Sequence, residues 1–193
     1  VLHYDAARNT HPLESYGDTI FLGTPNGIFA LDTRGTSQPD DDRIDPIFYG
    51  PQSEVLALRI AGDSLYAGTS DGLYIASLSD LTSWRKIGTE DGLPAPRVFS
   101  IEAGDTYLAI GTESGLVFLQ GDSIKGIIDD VLVSDLLFYQ DTLFVASLEK
   151  HGNGKGGVYE VTPDGEVLGL GRLSGARNTW SHNSWWIYRD PVG

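Results

Sequence analysis

The sequence predicts an all-β chain folded as a five-bladed β-propeller. Three observations predict it. A strand–turn–strand segment recurs at the spacing of a four-stranded blade. Apolar residues run in short blocks between Gly and Asp, without helical periodicity. The two chain ends read as complementary parts of one further unit. The recurring segment is Gly17 to Asp32, G-D-T-I-F-L-G-T-P-N-G-I-F-A-L-D; it returns as Gly62 to Ser77, as Gly104 to Leu119 with one extra residue, and more loosely over Gln140 to Val161. Its turn glycines, Gly27, Gly72, Gly115 and Gly157, are 45, 43 and 42 residues apart, the length of a blade.

Each unit reads in the same order. An innermost strand comes first, near 11–16 and then at 54–60, 97–103 and 131–139. A Gly-Asp turn or a relative follows (Gly17-Asp18, Gly62-Asp63, Gly104-Asp105, Gln140-Asp141), leading into second strands at 19–22, 64–67, 106–110 and 142–145. Asn26-Gly27 and Asp71-Gly72 are strong hairpin signals, because both positions tolerate the positive φ of a tight turn. Third strands fall at 28–31, 73–76, 116–119 and 158–161, and weaker outer strands at 44–49, 84–87, 124–128 and 167–170, as suits an edge. The window at 129–137 is compatible with a helix, but its Val-Leu-Val and Leu-Leu-Phe-Tyr runs sit in repeat phase and predict an inner strand.

The termini extend the pattern. W-I-Y-R-D-P-V-G at the end, followed by V-L-H-Y-D from the start, matches I-F-L-G-T-P-N-G followed by I-F-A-L-D: Pro191 falls on Pro25, Gly193 on Gly27 and Asp5 on Asp32. The N-terminus thus supplies the third strand that the C-terminal unit lacks, and the ring closes without an exposed sheet edge. The chain is one domain, 1–193, with units at about 6–50, 51–95, 96–130, 131–175, and 176–193 plus 1–5. The alternative is a fragment of a larger propeller of six to eight blades. The chain begins at Val1 and holds no Met, which reads as a processed or excised product.

Composition narrows the function classes. Acidic residues exceed basic ones by 14, so nucleic acid and anionic membrane surfaces are poor partners. No apolar run approaches the length of a membrane-spanning helix. With no Cys, disulfides, thiolate catalysis and Cys-ligated zinc are excluded. The acidic surplus favours a solvated surface, salt adaptation or cation binding.

The run I-F-L-G-T-P-N-G-I-F-A-L-D resembles the repeat of quinoprotein-like propellers. G-T-E-D-G-L-P-A-P-R-V-F-S-I at 88–101, followed by L-A-I-G-T-E-S-G-L, is similar to propeller repeats of bacterial two-component sensor ectodomains. Asp80-Leu81-Thr82-Ser83-Trp84 resembles a decayed Asp-box of sialidase-like propellers, without its usual glycines. The resemblance implies a propeller with a sensing, secreted or scaffold role, periplasmic or extracellular. No quinone-binding or sialidase catalytic set maps onto the chain.

Several motifs mimic chemistry. Gly68-Thr69-Ser70-Asp71-Gly72 matches G-x-S-x-G, but it joins two strands, whereas a nucleophile elbow joins a strand to a helix. Gly152 to Gly157 contains G-x-G-x-x-G, but a strand follows where a phosphate cradle needs a helix N-terminus; it reads as a lengthened loop. Asp40, Asp41, Asp42 and Asp45 lack the alternation of a calcium loop. His3, His11, His151 and His182 lack zinc spacing. The expectation is therefore no cofactor, no metal site and no catalytic residue. Trp180, Trp185 and Trp186 read as blade packing or an aromatic platform.

The architecture points to a binding module. Inner strands line a channel, whose candidates are His11, Glu54, Arg59, Arg97, Glu102, Asp135 and His182. Turns between second and third strands share a face with the inter-blade loops, and this mouth would carry Asn26, Asp71, Glu113, Lys150, His151, Arg189 and Asp190. A charged concave mouth suits a small polar ligand, a glycan or a protein partner. The reading is a non-catalytic ligand- or protein-binding or sensor module of an exported bacterial protein. The alternative is a five-bladed glycosidase-like enzyme using two channel carboxylates.

Overall fold

The computed structural model describes residues 12–38, 41–46, 50–150 and 155–171. They form four antiparallel sheets of four strands, each a simple meander. Sheet one is β1 (Leu13–Tyr16), β2 (Thr19–Thr24), β3 (Gly27–Asp32) and β4 (Arg43–Pro46). Sheet two is β5 (Val55–Ala61), β6 (Ser64–Thr69), β7 (Leu73–Ser77) and β8 (Asp80–Ile87). Sheet three is β9 (Val98–Ala103), β10 (Leu108–Thr112), β11 (Gly115–Gln120) and β12 (Ser123–Asp129). Sheet four is β13 (Val131–Tyr139), β14 (Thr142–Glu149), β15 (Gly157–Val161) and β16 (Val167–Gly171). The 129–137 window is a strand, as its repeat phase predicts. A short 3-10 turn lies at Thr89–Asp91.

The sheets stack through their first strands: β1 touches β5, β5 touches β9, and β9 touches β13. Three apolar cores fill the spaces between successive sheets. Phe21, Ile28 and Leu65 belong to the first, Leu73, Val98 and Ile110 to the second, and Leu116, Val133 and Val145 to the third. Strand alternation explains the pattern, since each sheet turns alternate side chains to opposite neighbours. Three first strands carry a bulge at matching places, between Val55 and Ala57, at Phe99, and between Val133 and Asp135.

Close approach is set by a glycine on the second strand of sheets one, two and three. A Cβ on Gly23, Gly68 or Gly111 would lie 2.7, 2.6 or 2.5 Å from Cγ1 of Val55, Val98 or Val133, the inner-strand valine of the next sheet. Real side chains do not reach such distances, so the missing Cβ lets adjacent sheets mesh. In sheet four this place is held by the small residue Ala146.

The residue after each such glycine closes the hairpin. Thr112 is fully buried; its hydroxyl donates to the Gly115 carbonyl at 2.9 Å and accepts from Ser114 N–H at 3.2 Å. Thr24 repeats both bonds; Thr69 accepts from Asp71 N–H and shares its one proton between the Gly72 carbonyl and the Asp71 side chain; and Ser147 bridges both backbone groups of Gly157. The glycine ending each turn has positive φ, for example +148° at Gly72 and +153° at Gly115, which suits a residue without Cβ. Thr112→Val keeps the shape and strands two buried backbone groups. Urea denaturation should show a loss of about 2 kcal/mol.

The structure moves several boundaries. Glu54 and Arg97, predicted to lie in inner strands, end the loops just before β5 and β9. Their carbonyls accept from Ser70 N–H at 3.0 Å and Glu113 N–H at 3.1 Å, so this backbone belongs to the neighbouring hairpin turn. The second strand of sheet three starts at Leu108, two residues later than predicted. Gly104-Asp105 sits one residue earlier on its hairpin than Gly62-Asp63 does, four residues separating the facing pair Ala103 and Leu108 as they separate Ile60 and Leu65, and Gly104 N–H closes the turn on the Tyr107 carbonyl at 2.9 Å. The outer strand β8 begins at Asp80, so the Asp-box-like run opens it: Asp80 accepts from Thr82 N–H at 3.0 Å, and the Trp84 indole donates to the Leu81 carbonyl at 2.9 Å. The G-x-S-x-G match is the β6–β7 hairpin. Residues 1–11 and 172–193, which carry the predicted closing unit, lie outside the described residues.

Both ends of the stack present apolar side chains. On sheet one Leu13 and Ile44, opposite the Phe21 face, are 62% and 61% exposed. On sheet four, opposite the Val145 face, Leu148 is 41% exposed, beside half-buried Leu137 and Phe144.

Candidate functional site

The charged residues of the inner strands form a line between sheets. Glu14 on β1, Arg59 on β5 and Glu102 on β9 meet: Arg59 Nη1 is 3.6 Å from Glu14 Oε1, and Nη2 donates to Glu102 Oε1. Glu14 and Arg59 each stand three residues before a Gly-Asp turn, which puts them at the same height on neighbouring strands. The Glu102 side chain is 13% exposed. Burial pushes its carboxyl above the ordinary value; Arg59 pulls it back, while Glu14 and Asp135 push it further up. Burial also raises Glu14, again opposed by Arg59. One guanidinium thus serves two carboxylates and does not fully compensate either.

A second pair lies at the other end of the inner strands, at the hairpin-turn face. Arg97 Nη2 is 3.7 Å from Glu54 Oε2. Five residues separate Glu54 from Arg59 along one strand, about 16 Å of rise. The residues predicted as one channel therefore divide between two ends. Glu54 and Arg97 accompany the mouth set, whereas Arg59, Glu102 and Glu14 stand near the Gly-Asp turns. Asp135 lies beside the β13 bulge, between these levels, with its Oδ1 accepting from Leu136 N–H at 3.0 Å.

Of the mouth residues, Asp71 is the most constrained. Ser53 and Thr69 hydroxyls donate to its Oδ1 at 2.6 and 2.7 Å, while Lys86 Nζ and the Tyr74 hydroxyl reach its Oδ2 at 2.9 and 3.1 Å. Burial alone would raise this carboxyl, but these donors hold it well below the usual carboxylate range. Its acceptor sites are filled from within, so it fixes the turn against the inter-blade loop. Lys150 crosses to the next sheet, donating to Ser114 Oγ at 2.8 Å, and so stands beside Glu113. Asn26 occupies the matching turn of sheet one, its N–H bonded to Thr24 Oγ1 at 3.2 Å. The predicted His11, His151, His182, Arg189 and Asp190, with His3 and the three C-terminal tryptophans, fall outside the described residues.

Four sheets of meandering strands, joined inner strand to inner strand, are a propeller's arrangement. Solved structures with this fold superpose on the chain. The WD40 β-propeller domain of Doa1 matches with a TM-score of 0.56 at 14% identity, over 81% of this chain and 52% of that one. The extracellular domain of the system BT4673 from B. thetaiotaomicron matches with a TM-score of 0.69 at 20% identity, over 86% of this chain but 23% of that one. The computationally designed Ika4 protein matches with a TM-score of 0.55 at 14% identity, over 82% of this chain and 94% of that one. The chain thus spans about a quarter of the BT4673 extracellular domain and about half of the Doa1 domain. No family model and no curated protein matches the chain.

Sequence reasoning missed Glu14, although its place before Gly17-Asp18 repeats that of Arg59 before Gly62-Asp63. Among the described residues no group of three or more His, Asp and Glu side chains is arranged to hold a metal ion, and no helix is long and apolar enough to cross a membrane.

Proposed function

We propose that the chain is a non-catalytic binding or sensor module of an exported bacterial protein, built as a five-bladed propeller whose termini complete the last blade. The observation that carries the binding reading is the mutual pairing of the inner-strand charges. Glu14 and Glu102 both bear on Arg59, and Glu54 faces Arg97, so these carboxylates brace neighbouring blades and the face around Asn26, Glu113 and Lys150 is left to meet a partner. The likeness to an extracellular sensor domain supports export and a sensing role. The exposed apolar faces of sheets one and four, and Ala146 at the place where earlier sheets carry a meshing glycine, support a further blade between them.

A thermal-shift screen of polar metabolites, glycans and peptides tests the binding reading. A ligand at 100 times its Kd adds about 2.7 kcal/mol, a rise of roughly 5–10 °C for a chain of this size. Glu113→Gln and Lys150→Ala should each reduce the shift. A glycosidase would instead hydrolyse aryl glycosides, with activity lost in Glu102→Gln; that result would replace the binding reading.

A further inference from the structure

A cavity of about 410 Å³ lies between sheets two and three, at the Gly-Asp-turn end and so away from the proposed mouth. Its size is that of a small-ligand site. One wall is a cross-strand row on sheet two: Arg59 faces Tyr66, Tyr66 faces Ile75, and Ile75 faces Arg85. Tyr66, Ile75 and Arg85 line the cavity. Leu108 and Leu119, paired on sheet three, form the apolar floor. The remaining wall is the β9–β10 turn, through Gly104, Thr106 and Tyr107. Tyr107 stacks on Phe118, ring centres 4.0 Å apart, and its hydroxyl is buried without a hydrogen-bond partner.

Arg85 from β8 and Asp122 from the β11–β12 turn form an ion pair between sheets at the edge of this cavity. Their side chains are 53% and 83% exposed, and a pair so exposed adds little to stability. Most of both groups is open to solvent: Arg85 meets Asp122 through Nη1 alone, leaving its other N–H donors to a ligand, and Asp122 keeps its Oδ2. A cation donor and an anionic acceptor thus stand beside an apolar floor.

We infer that this cavity binds a small zwitterion with an apolar side chain, an apolar α-amino acid, its carboxylate on Arg85, its ammonium on Asp122 and its side chain over Ile75, Leu108 and Leu119. The charges select this class. A simple anion meets Asp122, nearby Asp105 and the acidic surplus of the whole chain. A simple cation meets Arg85. A wholly apolar molecule uses neither charged group.

The test is a titration of the intact chain with L-phenylalanine, read from the amide chemical shifts of Gly104, Thr106 and Gly121. Saturable shifts at these amides are expected. The uncharged analogue N-acetyl-L-phenylalaninamide should bind at least tenfold more weakly, and glycine should not saturate. Arg85→Gln and Asp122→Asn alter exposed side chains; with melting curves like the parent's, each should weaken L-phenylalanine at least fivefold. Equal binding of the capped analogue, equal binding by either variant, shifts confined to other residues, or no saturation would overturn the assignment.

Discussion

Replacing Gly111 by valine is expected to drive sheets three and four apart and to cost more stability than any other single change considered. A Cβ here would lie 2.2 Å from Ser100 Oγ and 2.5 and 2.9 Å from Cγ1 and Cβ of Val133. Neither neighbour is the free end of a flexible chain. Ser100 sits on β9 directly across from Gly111, and Val133 is fully buried in the next inner strand. Overpacking a close-packed interior costs about 1–3 kcal/mol for modest insertions, and three heavy atoms at a contact this tight should exceed about 3 kcal/mol. Chemical denaturation of Gly111→Val should show a large fall in midpoint or no cooperative transition. The milder Gly111→Ala paired with Val133→Ala should recover part of the loss of Gly111→Ala, with a coupling above about 0.5 kcal/mol, because the two positions share one contact.

The second large effect is expected at Arg59. Arg59→Met keeps an apolar stem and removes the one guanidinium between Glu14 and Glu102. Taking one partner from a fully buried ion pair costs about 3–5 kcal/mol; Arg59 is 34% exposed, so about 2 kcal/mol at pH 7 is the scaled expectation. The pH dependence distinguishes this from lost packing. Both folded-state carboxyl pKa values already stand above the ordinary glutamate value, and without Arg59 they rise further. A raised carboxyl pKa costs stability as pH climbs from the unfolded value through the folded one, and costs nothing below the unfolded value. The deficit of Arg59→Met should therefore be full at pH 7 and shrink toward zero near pH 4. Denaturant titrations at the two pH values measure it; an unchanged deficit would mark a packing effect.

The fold was legible because blade geometry writes itself into short, local signals. Asn-Gly and Asp-Gly turns, Gly-Asp corners or their relatives, and apolar blocks of strand length all act within a few residues, and they located all four meanders. Boundaries near the loops were less legible. Glu54 and Arg97 look like strand residues by alternation, yet each lies beyond the bulge of its inner strand, with its carbonyl taken by the hairpin turn of its own sheet, sixteen residues further on, a contact no local pattern encodes. Asp71 shows the same limit: it reads as an exposed turn acid, and the four donors filling it come partly from the preceding loop and the outer strand. Glu14 was readable in principle, since it lies in repeat register with Arg59; the cavity was not, because its walls come from two sheets.

A cross-link measures directly whether the two ends of the chain share one blade, as the five-bladed ring requires. In sheet one Phe21 faces Ala30 across the β2–β3 hairpin. The alignment of the termini gives Phe21's place to Ile187 and Ala30's place to His3. Facing residues of this kind have Cα atoms about 5 Å apart, within the reach of a disulfide, and the chain has no other cysteine. Mild oxidation of the double variant Ile187→Cys, His3→Cys should give a monomer with one internal disulfide and a raised melting temperature; thiols that stay reduced, or that join only different molecules, would contradict the closed ring.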